Sequence, residues 1–352
     1  MTRVLVTGAA GFIGGRILAQ LRDAGFDVIG IDSMLAAAHG EHAQHPPGVH
    51  QADVADSDTM SAMLDGVDVV CHQAAMVGAG VDASDAPRFA RENDLATAEL
   101  LASMYRAGCD RLVLASSMVV YGMGSHRTAD GHRPDVVPQR RREDLAAGLF
   151  DHRLPSGERL HWALTGEEAP IAPQSSYAAS KAAQEYYARA WALATGGSVT
   201  ALRYHNVYGP GMPRDTPYAG VASIFRSQLA SGRAPKVFED GRQMRDFVHV
   251  DDVARANLAA IEDRSLESFR AFNICSGRPI AIGEVATILA EAAGGPPPIV
   301  TGEHRVSDVR HVVADPAAAE AELGFRASTM PEVGIARFAG EPLRESVERA
   351  YR

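Results

Sequence analysis

The sequence predicts an α/β protein built on a doubly wound parallel sheet, with a smaller lobe formed by its C-terminal part. Three observations predict it. A short apolar, β-branched run at Arg3–Thr7 leads into a glycine-rich turn at 8–14 and a helical pattern at 15–24 that stops at Gly25. Strand-like and helix-like segments then alternate, as strands joined by helical crossovers must. After Arg203 the pattern shortens, and Gly/Pro clusters stand at 209–217 and 294–298.

Taken in order, residues 27–31 read as the second strand, followed by strands at 67–71, 111–115 and 198–203 and helices at 90–107 and 177–195. Residues 123–174 break this rhythm. They are rich in Arg, Asp, Gly, Pro and His, show little periodicity, and read as an insertion. The expected division is a sheet domain over 1–203 carrying this insertion and a lobe over 204–352, with the chain free to cross back between them.

The 352 residues suffice for about two domains of roughly 150 residues each, with a core that needs neither disulfides nor metals. A net charge of -10 sets the whole chain against nucleic acid and acidic membrane surfaces. No apolar run of roughly 18 residues predicts a membrane span, and no leader precedes the first strand. Cys71, Cys109 and Cys275 are odd in number, widely spaced and free of any CxxC pairing, which fits a reducing cytoplasm.

The first chemical motif is TGAAGFIG. Gly8, Gly11 and Gly14, with Phe12 and Ile13 among them, stand between a strand and a helix, where glycines permit a tight turn and close backbone approach to a pyrophosphate. This is a Rossmann-type pattern. Asp32 closes the second strand 24 residues after Gly8, where a carboxylate can accept from the adenosine ribose hydroxyls and repel a 2′-phosphate. Ser33 and Met34 follow it, so no adjacent arginine serves NADP, and NAD is the expected cofactor. Asp53, followed by Val54 in QADVAD, is placed to reach the adenine edge, although a solvated loop carboxylate fits the same spacing.

The second motif is YAASK. Tyr177 and Lys181 share one helix face, where an ammonium can lower the phenol pKa and hold the nicotinamide ribose, making the tyrosine a usable general base. The chain contains 32 Arg and only two Lys, Lys181 and Lys236, so lysine stands here in a protein that uses arginine almost everywhere else. Ser116 and Ser117 end an apolar strand, and Ser117 is the candidate donor to the oxygen being oxidised.

These motifs occur in order with HQAA at 72–75, SSMVVYG at 116–122, LRYHNVYGP at 202–210 and RDFVHVDDVA at 245–254. Together they resemble the extended short-chain dehydrogenases that epimerise, dehydrate or reduce nucleotide sugars. The resemblance implies Tyr177 as catalytic base, Lys181 as its partner and Ser117 as third member. It implies Ala74 and Asn93 at the cofactor, and Asn206, Arg245, Arg305 and Asp308 around a dTDP- or UDP-linked sugar. A homodimer formed through two helices per subunit is implied as well.

Dehydratases of this family carry Thr-Asp-Glu before the VYG, whereas this chain has Ser117, Met118 and Val119. Without that acid and base, the resemblance implies a 4-epimerase working through a transient 4-keto sugar. A 4-ketoreductase is the rival on the same scaffold, opposed by Asp32. A non-catalytic NAD sensor is opposed by the intact Ser117, Tyr177 and Lys181. The long interval between Tyr121 and Tyr177, with FEDGRQMRDFVHV at 238–250, is similar to the dTDP-L-rhamnose 4-epimerase-like subgroup, without that subgroup's cysteine pairs. His126, His132, His152 and His161 are unevenly spaced and read as solvated loop histidines, so no metal site is expected. His205 stands where the family often has Phe beside the nicotinamide.

Overall fold

The computed structural model describes residues 1–40, 45–78, 83–214, 220–264, 268–306 and 308–344. Residues 215–217 of the expected Gly/Pro cluster, and Ser307 between Arg305 and Asp308, lie outside the described residues.

The alternation of strands and helices closes into one parallel seven-stranded sheet. Across it run Phe269–Ile274, Ser198–Tyr204, Arg111–Ser117, Val69–His72, Arg3–Thr7, Asp27–Asp32 and Val49–Gln51. Strand residues alternate between its faces, as the pleat requires. Val4, Val6, Val69, Cys71, Val113 and Ala115 join one core, against helices Phe12–Asp23 and Val250–Glu262. Leu5, Val70, Leu112 and Leu114 join the other, under Ala96–Ala107 and Ser176–Thr195. Both of these latter helices end on a glycine in the left-handed conformation, Gly108 and Gly196.

The expected helix at 90–107 begins earlier and is irregular. Helix Ala86–Phe89 runs into a π-turn, Ala90–Leu95, and then into Ala96–Ala107. The π-turn carries Asn93 into the interior, where it is fully buried.

The chain does cross back. Strand Phe269–Ile274 pairs along Ser198–Tyr204 and completes the large sheet from well beyond Arg203. What lies between and after these strands builds a second core. There a three-stranded sheet, Pro279–Ala281, Met244–His249 and Asn206–Tyr208, is packed by Val221–Ala230, Ile282–Ala292 and Pro331–Phe338 around Phe225, Phe247, Leu289, Ile335 and Phe338.

The insertion contains only the hairpin Ser125–Arg127 with His161–Ala163 and the short helix Arg142–Ala146. It is packed nonetheless: Arg140, Leu145, Phe150, His152 and Leu160 are all buried. Its core mixes polar and apolar side chains without a repeat, which is why no apolar periodicity marks it. No helix among the described residues is long and apolar enough to cross a membrane.

Candidate active site

The glycine-rich turn is sterically closed to side chains. Gly8 has φ +65°, and a Cβ there would lie 2.8 Å from the Ala74 backbone nitrogen. A Cβ on Gly14 would lie 2.1 Å from the Gly8 carbonyl oxygen, while Gly11 N–H donates to that same oxygen at 2.9 Å. The helix beginning at Phe12 therefore starts directly over the turn, offering its unpaired N–H groups to an anion. Phe12 packs on the lobe core and Ile13 on the sheet core, which holds that helix end between them.

Asp32 is buried at the end of its strand, accepting from Ala10 N–H at 3.0 Å and Met34 N–H at 2.9 Å, with His39 Nε2 at 3.2 Å. Burial acts to raise its pKa, but the hydrogen bonds from His39, Met34 and Ala10 outweigh it and hold the carboxyl below its ordinary value. The sequence reading missed His39, and it missed Arg344, whose Nη2 donates to the Ala10 carbonyl at 2.9 Å from the far end of the chain. Asp53 is exposed and accepts from Ala55 N–H, while Val54 beside it is buried in the sheet core. The cradle that only glycine can line, the helix terminus and the ionised Asp32 together fit NAD.

Ser175 caps the helix Ser176–Thr195 by accepting from Ala178 N–H, which sets Tyr177 and Lys181 on the face toward strand Arg111–Ser117. Ser117, at the end of that strand, stands beside the Tyr177 phenol and acts to lower its pKa. The expected lowering of the phenol pKa by Lys181 is not realised in the protein itself. Burial pushes Tyr177 up to about 12, with Ser117 opposing. Burial also pulls Lys181 down to about 7, against Glu185, and its Nζ donates to the Ala115 carbonyl at 2.9 Å. Lys181 is buried between helix and strand and Tyr177 is half-buried beside it, so each charged form is costly.

One turn beyond Lys181, Glu185 forms a buried two-point pair with Arg203, at 2.9 and 2.7 Å, and accepts from Ser116 Oγ at 2.5 Å. Arg203 also donates to the Tyr121 hydroxyl, which donates to Asn273. This ties the catalytic helix to three strands of the sheet. Asn93 is spent on protein partners as well: Met76 N–H at 2.7 Å, Met76 carbonyl at 2.9 Å and Ser180 Oγ at 2.8 Å. It positions the loop after strand Val69–His72 and the catalytic helix, rather than presenting a free amide.

On the lobe side, Asn206 donates to the Asp246 carbonyl at 3.0 Å and lies 3.7 Å from Met118 Sδ. The wall beside Ser117 is therefore a thioether, with neither acid nor base. Arg245 directs its guanidinium to the carbonyls of Met244, Val309 and Arg310, and burial pulls its pKa down to about 10. Asp308 is half-buried and raised by burial, while Arg305 is exposed and stands over the Phe238 ring. Arg305 lines a cleft of about 630 Å³ together with Gln139, Arg142, Gln174, His304 and Val306.

Beneath that cleft lies a buried ionic layer the sequence did not disclose, because arginine is too common in this chain for Arg140 and Arg310 to stand out. Glu239 accepts from Arg140 at 2.6 Å and from Arg310 at 2.8 Å, and Arg310 also pairs with Asp240 and Asp151. Arg140 Nη2 then holds the carbonyls of Arg305 and Asp308.

Two of the insertion histidines are not solvated. His126 and His152 are buried edge-to-face at 4.9 Å, with His311 6.1 Å from His126, because they fill the mixed core of the insertion. Among the described residues no group of three or more His, Cys, Asp or Glu is placed to hold a metal ion. His205 is buried, and burial pulls its pKa down to about 3, so a neutral imidazole occupies that position.

The family model described as the NAD dependent epimerase/dehydratase family matches residues 4–141 and 158–275, which include the whole glycine turn, Tyr177, Lys181 and the returning sheet strand. The chain belongs to this family. NAD is accordingly its cofactor, and the unmatched residues 142–157 fall within the insertion. The chain is 34% identical over 348 residues to dTDP-L-rhamnose 4-epimerase of Burkholderia thailandensis, covering 95% of this chain and 93% of that one. It matches the crystal structure of UDP-glucose 4-epimerase with UDP-glucose from Thermotoga maritima with a TM-score of 0.78 and 27% identity, over 96% of this chain and 97% of that one. MoeE5 in complex with UDP-glucuronic acid and NAD gives a TM-score of 0.75 and 30% identity, over 95% and 96%.

Proposed function

We propose that this protein is an isomerase that inverts carbon 4 of a dTDP- or UDP-linked sugar through a transient 4-keto sugar. The observation that carries the reading is the wall around the reacting position. Ser117 stands beside Tyr177, Lys181 stands behind, and Met118 occupies the place where elimination would need an acid. Relatives named as 4-epimerases support it.

Bound NAD supplies a reversible two-electron acceptor, whose positively charged ring also favours the ionised phenol. Tyr177 Oη takes the proton of the sugar's 4-hydroxyl, and Ser117 Oγ holds that oxygen as it becomes a carbonyl. Lys181, pulled down to about 7 by burial against the pull of Glu185, stabilises the phenolate in its charged form. The keto sugar must then turn about its diphosphate linkage, so the nucleotide has to stay anchored. Asn206, Arg245, Arg305 and Asp308 are the proposed anchors, and the insertion, through Arg140, holds the segment carrying the last two.

The reading extends to a homodimer. Leu95, Tyr105, Tyr186, Tyr187 and Leu193 are large, exposed, and lie on or beside the adjacent helices Ala96–Ala107 and Ser176–Thr195. Three buried free cysteines suit the reducing cytoplasm as its compartment.

The test is to denature the purified protein and identify released NAD, then to incubate native enzyme with dTDP-L-rhamnose, UDP-glucose and UDP-glucuronate separately. Inversion at carbon 4 without added cofactor, abolished by Tyr177→Phe with NAD still bound, is expected. Steady NADPH consumption on a 4-keto sugar with no inversion would make the protein a reductase instead.

A further inference from the structure

A second cleft, of about 550 Å³, opens in the insertion and shares no lining residue with the Arg305 cleft. Arg127, Arg133 and Arg159 line it, with His161, Trp162 and Asp315. We propose that this cleft binds a phosphorylated ligand carrying a planar ring, of the nucleoside diphosphate class.

Its charge and its shape both argue for this. Arg127 and Arg133 are exposed, and neither has a carboxylate partner among the described residues. Arg159 pairs with Asp151 at 2.7 Å, but Asp151 is shared with Arg310 and His311. Asp315, the one carboxylate in the lining among the described residues, accepts from Ala317 N–H at 3.1 Å. In a chain of net charge -10, uncompensated guanidiniums gathered in one concavity make a local positive focus that the molecule as a whole opposes. Guanidinium forks match phosphate oxygens in geometry as well as charge. The half-buried indole of Trp162 and the imidazole of His161 offer flat faces of the kind on which a base stacks. The volume lies within the usual range for a small-molecule pocket.

The cleft is also connected. Asp151 spans from Arg159 in its lining to Arg310, one position from Val309, whose carbonyl Arg245 holds. A ligand phosphate on Arg159 would compete with Asp151 at one end of that chain of contacts.

The probe is ADP, titrated into NAD-loaded protein with the nucleotide-sugar site filled by UDP. Trp191→Phe leaves Trp162 as the single fluorescent indole. Saturable change in Trp162 emission is expected, and Arg127→Gln/Arg133→Gln should weaken ADP by about tenfold or more while leaving epimerase kcat and KM unchanged in its absence. Absence of a saturable signal at millimolar ADP would overturn the proposal. So would an affinity that the double variant does not alter, or ADP binding that only expels NAD. None of these outcomes depends on which sugar the enzyme inverts.

Discussion

Loss of Glu239 strips a buried ionic layer of its central carboxylate. The Glu239 side chain is buried between two equally buried guanidiniums, at 2.6 Å from Arg140 and 2.8 Å from Arg310, and its backbone sits at φ +52°. Glu239→Gln keeps the shape and removes the charge. Arg310 retains Asp151 at 2.9 Å and Asp240 at 2.7 Å, whereas Arg140 keeps only the carbonyls of Phe150, Arg305 and Asp308. The uncompensated charge therefore belongs to Arg140. Breaking such a buried pair costs about 3–5 kcal/mol, which at an m value of about 3 kcal/mol per M lowers the urea midpoint by about 1–1.7 M. Because Arg140 holds the segment of Arg305 and Asp308, KM for the nucleotide sugar should rise while NAD content stays constant. Adding Arg140→Met removes the orphaned charge, so the double variant should be more stable than the sum of the singles by at least about 1 kcal/mol. A midpoint within about 0.3 M of the parent, or strict additivity, would refute the reasoning.

Gly14→Ala should abolish NAD retention, because its methyl group would lie 2.1 Å from the Gly8 carbonyl; NAD released per subunit on denaturation reads this directly. Asp32→Asn should weaken NAD by about tenfold to a hundredfold and narrow the preference over NADP, measured by competition between the two. His126, His152 and His311 are each pulled down to about 4 by burial, so the unfolded chain binds more protons than the folded one between about pH 4 and 6.5. Stability is thus complete above that window and is lost as pH falls through it. His126→Phe removes one of these protonations, worth up to about 3 kcal/mol near pH 4, and should leave stability at pH 7.5 within about 1 kcal/mol of the parent. Urea midpoints across the window test it, and an unchanged acid slope would sink it.

The sheet and its chemical motifs were legible because they follow strong local rules. Arg3–Thr7, TGAAGFIG and Asp32 are close in sequence and contact each other directly, and YAASK lies on one helix turn. What escaped was whatever depended on distant partners. His39 and Arg344 reach the cofactor cradle from segments with no motif of their own, and Arg344 lies 334 positions from Ala10. The mixed core of the insertion has no period to read, so buried His126 and His152 looked like surface residues. The pKa of Tyr177 could not follow from spacing either, since burial and not the neighbouring ammonium dominates it.

The returning strand Phe269–Ile274 also sets an order of events during synthesis. Ser198–Tyr204 leaves the ribosome with one side unpaired, and its neighbour is more than sixty residues behind it. Until residue 274 has emerged, the nascent sheet ends in a bare edge of Val199, Ala201 and Leu202, able to pair with another chain. The first part of the lobe, with Asn206–Tyr208, Val221–Ala230 and Met244–His249, must be made before the sheet can be finished. A chain stopped at Arg203 is therefore an exposed template and not a smaller enzyme.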